Sequence, residues 1–224
     1  MGAITGLVEA LQKRARARRA RLWRGLFPLG PSDKLLDLGS SDGRETASLG
    51  LDAQITIADV DAEAIAIGAR KYGFTPVILK ETGPLPFADG EFDVVYCSSV
   101  IEHVTVPKTD IWRIHSGREF AELAFDRQLA FASEIRRIGK GYFVQTPALG
   151  FPIESHSWLP FVGWLPRPVQ MLAIRVANRW WVKRTIPDFH LLSKANMRRL
   201  FPDAEILHER VAGLTKSFMA VRRQ

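Results

Sequence analysis

A stretch in the first fifth of the chain combines an apolar run, two glycines and two acids at the spacing of a ligand-binding turn. Lys34–Leu38 is a short apolar run of the kind that forms a buried parallel strand. Gly39 and Gly43 follow it, and Asp42 with Glu45 three residues later predicts the capped start of a helix. A strand, a glycine turn and a helix N-terminus together present backbone N–H groups and a helix dipole to a ligand. The alternative is an ordinary connection between a strand and a helix.

Polar residues recur at or just past the ends of the apolar runs that follow. Gln54–Asp59 ends in an acid, and a later run, residues 92–97, is followed by a serine. In a parallel sheet, ligands bind at the carboxyl ends of the strands, near the point where the strand order reverses. The residues that this rule places at such a site are Asp37, Gly39, Asp59, Glu81 and Ser98.

Two of the five histidines stand where they could take a proton from a substrate. His103 follows the fourth predicted strand, and His156 lies two residues after Glu154 in a proline-rich segment. Histidine is the usual general base near neutral pH. The alternatives are that His103 fixes a loop to the backbone, and that Glu154 and His156 brace the loop in which they lie. The histidines are scattered without the spacing of metal ligands, so no metal site is predicted.

Apolar runs and helical patterns alternate along the chain, which predicts a doubly wound, mostly parallel α/β sheet with helices on both faces. Asp61 is placed to cap the helix after the second strand, and Gly213 to turn a C-terminal antiparallel hairpin. The predicted strands are 34–38, 54–59, 76–79, 92–97, 141–145, 204–209 and 217–221, and the predicted helices after the glycine turn are 62–72, 118–138, 169–181 and 194–200.

Composition and charge are those of a soluble globular protein whose basic charge is concentrated at one end. The 224 residues are 46% hydrophobic and 25% charged, which is enough for one substantial core. Residues 1–24 carry +6 of the formal net charge of +7, so the rest of the chain is close to neutral. A single cysteine, Cys97, allows no internal disulfide, which favours an intracellular, cytoplasmic protein. No apolar run reaches the length of a transmembrane helix, and none has the position of a signal peptide.

Two segments lie outside the regular alternation. Residues 1–28 are predicted to form a basic amphipathic helix, with residues 29–224 as the main domain. An insertion at about 147–190 is rich in proline and tryptophan. Residues 1–24 and 158–184 together could rest on an anionic membrane as a peripheral attachment to its inner face. The alternatives are a helix packed on the domain, and an insertion that forms either a packed subdomain or a lid over an apolar acceptor. The apolar stripe predicted for the helix comprises Ile4, Leu7, Val8, Leu11, Ala15 and Leu22.

Residues 33–146 resemble the class I S-adenosylmethionine-dependent methyltransferases, which have a Rossmann-like fold. Residues 35–43 are similar to the family's first motif, whose loop wraps the methionine part of the cofactor. Asp59 matches the acid that accepts hydrogen bonds from the ribose hydroxyls, and Glu81 stands where the family has an acid near the adenine amino group. Residues 92–103 are similar to the fourth-strand motif, which borders the reacting methyl group. The resemblance implies a cofactor site formed by Asp37, Gly39, Ser40, Ser41, Gly43, Asp59, Val60, Glu81, Thr82 and Ser98.

Three positions depart from the family pattern. Ser41 replaces the middle glycine of the first motif, so the backbone approaches the cofactor carboxylate less freely there. Glu81 replaces the usual aspartate and has a longer reach, and the turn before the fifth strand is shortened to residues 139–141. The start of the insertion, residues 146–161 together with 164–166, resembles a subgroup of bacterial methyltransferases of mostly undefined substrate.

These features predict an S-adenosylmethionine-dependent methyltransferase that acts by direct displacement on a small or lipid-linked, partly apolar acceptor. His103, His156 and Glu154 are the candidate catalytic residues. The alternatives are an RNA methyltransferase that uses the basic arm, which the nearly neutral body disfavours, and a cofactor-binding protein without catalysis. A nicotinamide-dependent dehydrogenase is disfavoured because the third glycine of its fingerprint is missing and Asp37 occupies a position expected to be apolar.

Overall fold

A seven-stranded sheet forms the centre of the structure, a computed structural model that describes residues 17–223. Its strands are β1 (Lys34–Leu38), β2 (Gln54–Asp59), β3 (Thr75–Ile78), β4 (Phe92–Ser98), β5 (Gly139–Pro147), β6 (Glu205–Val211) and β7 (Leu214–Arg222). The strand order is β3-β2-β1-β4-β5-β7-β6, and the first five strands pair in parallel. The last two strands form an antiparallel hairpin that pairs with β5. The predicted doubly wound α/β sheet with a C-terminal hairpin is confirmed.

Helices cover both faces of this sheet because side chains of successive strand residues point to opposite faces. Leu36 and Leu38 of β1 pack in one core cluster with residues of the helices Gly117–Ile138 and Lys194–Leu200. Leu35 packs in a second cluster with Trp23 of the first described helix and Ile65 of the helix Ala62–Tyr72. The helices are α1 (residues 17–26), α2 (Arg44–Ala47), α3 (Ala62–Tyr72), α4 (Gly117–Ile138), α5 (Arg167–Ala177) and α6 (Lys194–Leu200), with 3₁₀ turns at Ile101–His103 and Val162–Trp164.

The predicted capping box at the start of α2 is wrong. The N-cap residue is Gly43, in the left-handed region at φ 66°, and no side chain caps the helix. Asp42 instead accepts a hydrogen bond from the Arg44 backbone N–H at 3.2 Å and pairs with its guanidinium at 2.8 Å. The helix is only four residues long, so its dipole adds little to ligand binding there. By contrast, Asp61 caps α3 as predicted, accepting from the N–H groups of Glu63 and Ala64.

The described part of the N-terminal helix packs into the core through aromatic residues. Trp23 is 0% exposed and makes an edge-to-face contact with Tyr96 of β4, with ring centroids 6.0 Å apart. Phe27 is also buried. Leu22, predicted to lie on the apolar stripe, is 38% exposed, so that prediction is wrong. Large aromatic side chains bury more apolar area than leucine, and they decide which face of α1 docks. The other predicted stripe residues lie outside the described residues.

The insertion between β5 and α6 has a small core of its own, formed by Val162, Ile174, Phe189 and Leu191. Its helix α5 ends at Ala177, four residues before the predicted end. The chain turns there because the Asn178 side chain donates to the Thr185 carbonyl at 2.7 Å and accepts from the Thr185 N–H at 3.0 Å. No helix within residues 17–223 is long and apolar enough to cross a membrane.

Candidate active site

The loop after β1 lies against the residues that follow β4. Gly39 has φ 77°, and a Cβ atom at this position would stand 2.4 Å from Val100 Cγ2. Only glycine therefore fits without a shift of Val100. Two backbone hydrogen bonds fix the loop. The Gly39 N–H donates to the Ala58 carbonyl of β2 at 2.8 Å, and the Gly43 N–H donates to the Ser40 carbonyl within the loop. This close approach puts the loops after β1, β2 and β4 at one end of the sheet.

Asp59, at the end of β2, holds the middle of this loop. Its two carboxylate oxygens accept the backbone N–H groups of Ser41 at 2.7 Å and Asp61 at 3.1 Å. In this position the backbone of Ser41 is left-handed, with φ 50°. Val60, the next residue, is exposed at the same edge. The carboxylate is half-buried and has acceptor capacity left for a ligand.

Replacing Ser41 with glycine is expected to stabilise the fold by roughly 0.5–1 kcal/mol, because glycine relieves the left-handed strain while the bond from the backbone N–H to Asp59 is kept. Ser40 provides the matched control, since its φ is not in the left-handed region and glycine there should only add unfolded-state entropy. Urea denaturation of both variants checks this. A Ser41→Gly variant no more stable than Ser40→Gly would show that the loop is not strained.

Asp37 lies beneath the loop and is buried. Its Oδ2 accepts a hydrogen bond from the Thr46 hydroxyl at 2.5 Å. Burial raises the pKa of Asp37 to about 7, and the nearby charges of Glu45 and Asp59 add to this, while the Thr46 bond opposes it. A carboxyl group with this pKa can gain or lose a proton near neutral pH, so its charge depends on what lies beside it.

His103 stands three residues past Val100, in the 3₁₀ turn after β4. Its backbone N–H donates to the Val100 carbonyl at 2.8 Å, which ties it to the residue that contacts Gly39. Its side chain is exposed, and Nδ1 lies 3.1 Å from Oδ1 of Asp188 in the insertion. A carboxylate at Nδ1 orients the imidazole and leaves Nε2 for a substrate or ligand. This is the arrangement expected of a general base.

His156 meets His103 edge to face, with ring centroids 4.5 Å apart. Its Nδ1 lies 2.5 Å from Oε1 of Glu154, and its Nε2 lies 3.5 Å from Oε1 of Glu102. Burial lowers the pKa of His156, but the two carboxylates raise it to about 9. In this state His156 already carries a proton at neutral pH, so it is better suited to position other groups than to act as the base.

Glu154 braces the loop around it. Its carboxylate accepts from the backbone N–H and hydroxyl of Ser157, at 2.6 and 2.7 Å, and from the backbone N–H of His156 at 2.6 Å. Burial raises the pKa of Glu154, but the hydrogen bonds and charge of His156 and the bonds from Ser157 hold it below its usual value. Glu154 is therefore an ionised group that fixes His156.

The predicted site residues fall into two neighbouring groups. The loop residues and Asp59 form the first group, and His103, His156 and Glu154 form the second. Ser98 ends β4 between them and donates to Gln145 Oε1 at 2.9 Å, an oxygen that also accepts from Arg19 of α1 at 2.6 Å. Glu81 and Thr82 lie apart, in an exposed loop that begins where Leu79 N–H meets the Asp59 carbonyl, and they join neither group.

Two residues of the second group were missed from the sequence. Glu102 is 0% exposed and accepts a hydrogen bond from the Thr146 hydroxyl at 2.9 Å. Its neighbour in sequence, His103, could have drawn attention to it. Asp188 stands 85 positions from His103, and nothing local in the sequence marks it as a partner. The contact forms because the insertion folds back over β4, as the bond from His190 N–H to the Glu102 carbonyl at 2.8 Å shows.

Comparison with known proteins relates the chain to methyltransferases. The family model described as "Methyltransferase domain" matches residues 36–115, which include the glycine loop, Asp59 and His103. A demethylmenaquinone methyltransferase from Mycolicibacterium vanbaalenii is 36% identical over 88 residues, which cover 37% of this chain and 38% of that protein. The matched part is therefore well under half of that relative's length.

Solved structures share the whole architecture at low sequence identity. An S-adenosylmethionine-dependent methyltransferase from Aquifex aeolicus matches with a TM-score of 0.50 and 15% identity over 90% of this chain and 86% of that one. The PH0226 protein from Pyrococcus horikoshii gives 0.54 and 15% over 90% and 85%. The N-terminal domain of EvdMO1 with S-adenosylhomocysteine bound gives 0.51 and 19% over 93% and 80%. These likenesses confirm the predicted fold.

Proposed function

We propose that the chain, which belongs to the class I S-adenosylmethionine-dependent methyltransferases, transfers a methyl group to an apolar or lipid-linked acceptor by direct displacement. One observation carries the proposal. The loops after β1, β2 and β4 meet where the strand order reverses between β1 and β4, and the histidine–carboxylate group lies directly beside them. Cofactors bind in such a crevice in doubly wound sheets.

The residues present fit S-adenosylmethionine, the cofactor of this family. The Asp59 carboxylate is half-exposed at the end of β2 and suits a pair of vicinal hydroxyls, and the exposed Val60 provides an apolar surface for a base beside it. The loop from Gly39 to Gly43 would hold the methionine part. Glu81 and Thr82 lie apart in their exposed loop, so they are not assigned a contact with the cofactor. When bound, the cofactor supplies an electrophilic methyl group on a sulfonium.

The chain's own task is then to align the acceptor and take its proton. His103 lies three residues after Val100, which contacts Gly39 in the loop after β1. It therefore borders the place where methyl transfer would occur. Asp188 fixes its ring, and His156, held by Glu154, packs against it. We propose that this group binds the acceptor and manages the proton that the acceptor loses.

An apolar acceptor is supported by the surface of the insertion. Val169, Leu172 and Val176 lie on one face of α5 at helical spacing, and all three are exposed. Trp164 and Trp180 flank α5 in the sequence and are exposed too. We call these five residues the insertion stripe. The relative from Mycolicibacterium carries a name that implies an apolar quinone as its acceptor, which agrees with this direction.

The insertion stripe has the chemistry of a membrane-binding surface. Residues 158–184 contain five lysines and arginines and no acidic residue, and all of the five except Arg167 are at least partly exposed. Tryptophan and arginine are favoured at the lipid headgroup level, and basic charge adds attraction to anionic lipids. The basic residues 1–24, most of which lie outside the described part of the chain, would supply a second attachment. We propose that the enzyme meets its acceptor at an anionic membrane.

Flotation with anionic vesicles tests the membrane proposal. Leu172 and Trp180 are 60% and 65% exposed, and replacing both with serine should reduce the bound fraction by roughly tenfold or more, because each contributes at least about 1.5 kcal/mol of apolar burial. Leu214 is an exposed leucine on the C-terminal hairpin, and Leu214→Ser serves as the control that should float like the parent. Equal flotation of the double variant and the parent would contradict this role for the stripe.

Transfer of a labelled methyl group from S-adenosylmethionine tests the proposed function itself. The parent protein is incubated with a bacterial lipid extract, with total RNA and with buffer alone, and the label is followed by extraction. Label in the lipid fraction alone supports the proposal. Label in RNA would favour the nucleic-acid alternative, and cofactor binding without transfer to either would favour a protein that binds the cofactor but lacks catalysis.

A further inference from the structure

We propose that Glu102, His103 and His156 form a binding site for a divalent first-row transition metal ion, with Zn²⁺ as the best match to two imidazoles and one carboxylate. The inference rests on the proposed function for its role, because the site lies on the acceptor side of the cofactor loop. The metal binding itself is a separate property of these three residues and is tested separately.

The three side chains are already close enough to share an ion. One nitrogen of each histidine and one carboxylate oxygen of Glu102 lie within 4.8 Å of one another. The His156 Nε2 and Glu102 Oε1 atoms are 3.5 Å apart. Ligand atoms bound tetrahedrally at about 2.1 Å from zinc are separated by about 3.4 Å. His156 and Glu102 thus need little movement, and most of the remaining adjustment falls to the exposed ring of His103.

Both histidines are held in the way that metal-binding histidines usually are. His156 presents Nδ1 to Glu154 at 2.5 Å, and His103 presents Nδ1 to Asp188 at 3.1 Å. A carboxylate at one ring nitrogen fixes the tautomer, orients the ring and makes the other nitrogen a better ligand. The same preparation occurs twice, on residues 53 positions apart in the chain, and in each ring the carboxylate engages Nδ1 and leaves Nε2 as the possible ligand.

A buried oxygen of Glu102 supplies an independent observation. The side chain is 0% exposed, and Oε1 accepts no hydrogen bond from the residues that the structure describes, whereas Oε2 accepts one from Thr146. The 3.5 Å separation from His156 is too long for a good hydrogen bond. This oxygen therefore has a long ion-pair contact with His156 but no hydrogen bond among the described residues, and a buried polar atom without a hydrogen bond is costly. Coordination to a cation would satisfy it.

The charges of the cluster point the same way. Three carboxylates, those of Glu102, Glu154 and Asp188, surround two imidazoles within one set of contacts. A divalent cation would displace the proton that His156 shares with Glu102, balance the negative charge of the carboxylates and keep an open position for the acceptor. With Nε2 of His103 occupied by the ion, this ring would no longer act as the base proposed for the metal-free protein. For an acceptor hydroxyl, the O–H bond would then break with the proton passing to solvent water. The oxygen electron pair then forms the bond to the methyl carbon as the carbon–sulfur bond breaks and leaves its pair on sulfur.

Titration with Co²⁺ tests the site without any enzyme assay. The full chain is freed of metal with a chelator and titrated with Co²⁺, whose visible absorption reports ordered coordination, and Zn²⁺ is then added in competition. We expect one saturable Co²⁺ site that Zn²⁺ displaces. Asp188→Asn should weaken Co²⁺ binding by roughly 10–100-fold, as loss of an orienting partner does. Glu102→Gln and His103→Gln should weaken it further.

His115→Gln provides the control, since His115 is exposed and lies outside the cluster. It should bind Co²⁺ like the parent. Glu102 is buried, so the Glu102→Gln variant could fail to fold. The His103→Gln variant, which changes an exposed residue, is therefore the decisive one. The absence of a Co²⁺ band in the parent, or an unchanged band in His103→Gln, overturns the proposal. Binding of S-adenosylhomocysteine by the metal-free protein is measured in parallel, so that a failed metal site is distinguished from a failed methyltransferase assignment.

Discussion

Replacing Asp37 with asparagine is expected to make the protein's stability less dependent on pH between pH 4 and pH 8. Burial raises the pKa of Asp37 from its ordinary value of 3.8 to about 7 in the folded state. The folded state therefore favours the protonated carboxyl, and this contribution is fully present only below the unfolded pKa. It is lost as the pH rises through about 7, because the folded protein must then bury an ionised group.

The size of the effect follows from the difference between the two pKa values. At about 1.4 kcal/mol for each pKa unit, the parent should lose up to about 4 kcal/mol relative to Asp37→Asn between pH 4 and pH 8. Urea denaturation of both proteins across this range measures the difference. Asp52→Asn, which alters an exposed acid, should follow the parent at every pH. A constant difference between Asp37→Asn and the parent would show that Asp37 is ionised in the folded protein throughout.

Replacing Asp59 with alanine should weaken binding of S-adenosylhomocysteine by roughly 5–150-fold, or about 1–3 kcal/mol. Asp59 is the only acidic residue in β2. In the alanine variant, the ribose hydroxyls would lose their charged hydrogen-bond acceptor. The variant also frees the Ser41 N–H, which Asp59 accepts at 2.7 Å, so the loop that holds the methionine part loses its anchor. Both effects act in the same direction.

Isothermal titration calorimetry of the Asp59→Ala and Asp59→Asn variants separates these two effects. Asparagine keeps one acceptor for Ser41 but lacks the charge, so it should fall between alanine and the parent. Asp52→Ala again serves as the unchanged control. Equal affinity of Asp59→Ala and the parent would remove Asp59 from the cofactor site and leave the ribose without an assigned partner.

The parts of the fold that depend on local pattern could be predicted from the sequence. The bounds of β1, β2, α3 and α6 were predicted correctly, since apolar runs and caps such as Asp61 act within a few residues. The glycine loop was recognisable for the same reason. Local pattern did not predict which residues of α1 are buried, because this depends on packing against the sheet. Leu22 was expected on the buried face but is exposed, and Trp23 is buried instead.

The second half of the site could not have been assembled from local pattern. His103 and His156 were identified as candidates separately, but their contact needs the insertion to fold back over the end of β4. Asp188 joins them only through that long-range contact, and Glu102 could not be recognised as buried without it. The histidines lack the sequence spacing of metal ligands, but this did not exclude the cluster of Glu102, His103 and His156. Its members come from two distant segments of the chain.

Thermal unfolding with S-adenosylhomocysteine, with NAD as the control ligand, is the most direct test that this chain is a methyltransferase built around the β1 loop and Asp59. At 100 times its dissociation constant, a ligand that binds only the folded state stabilises it by about 2.7 kcal/mol, which raises the melting temperature of a chain of this size by roughly 5–10 °C. We expect this rise with S-adenosylhomocysteine and none with NAD. A rise with NAD alone, or with neither ligand, would contradict the assignment of the site.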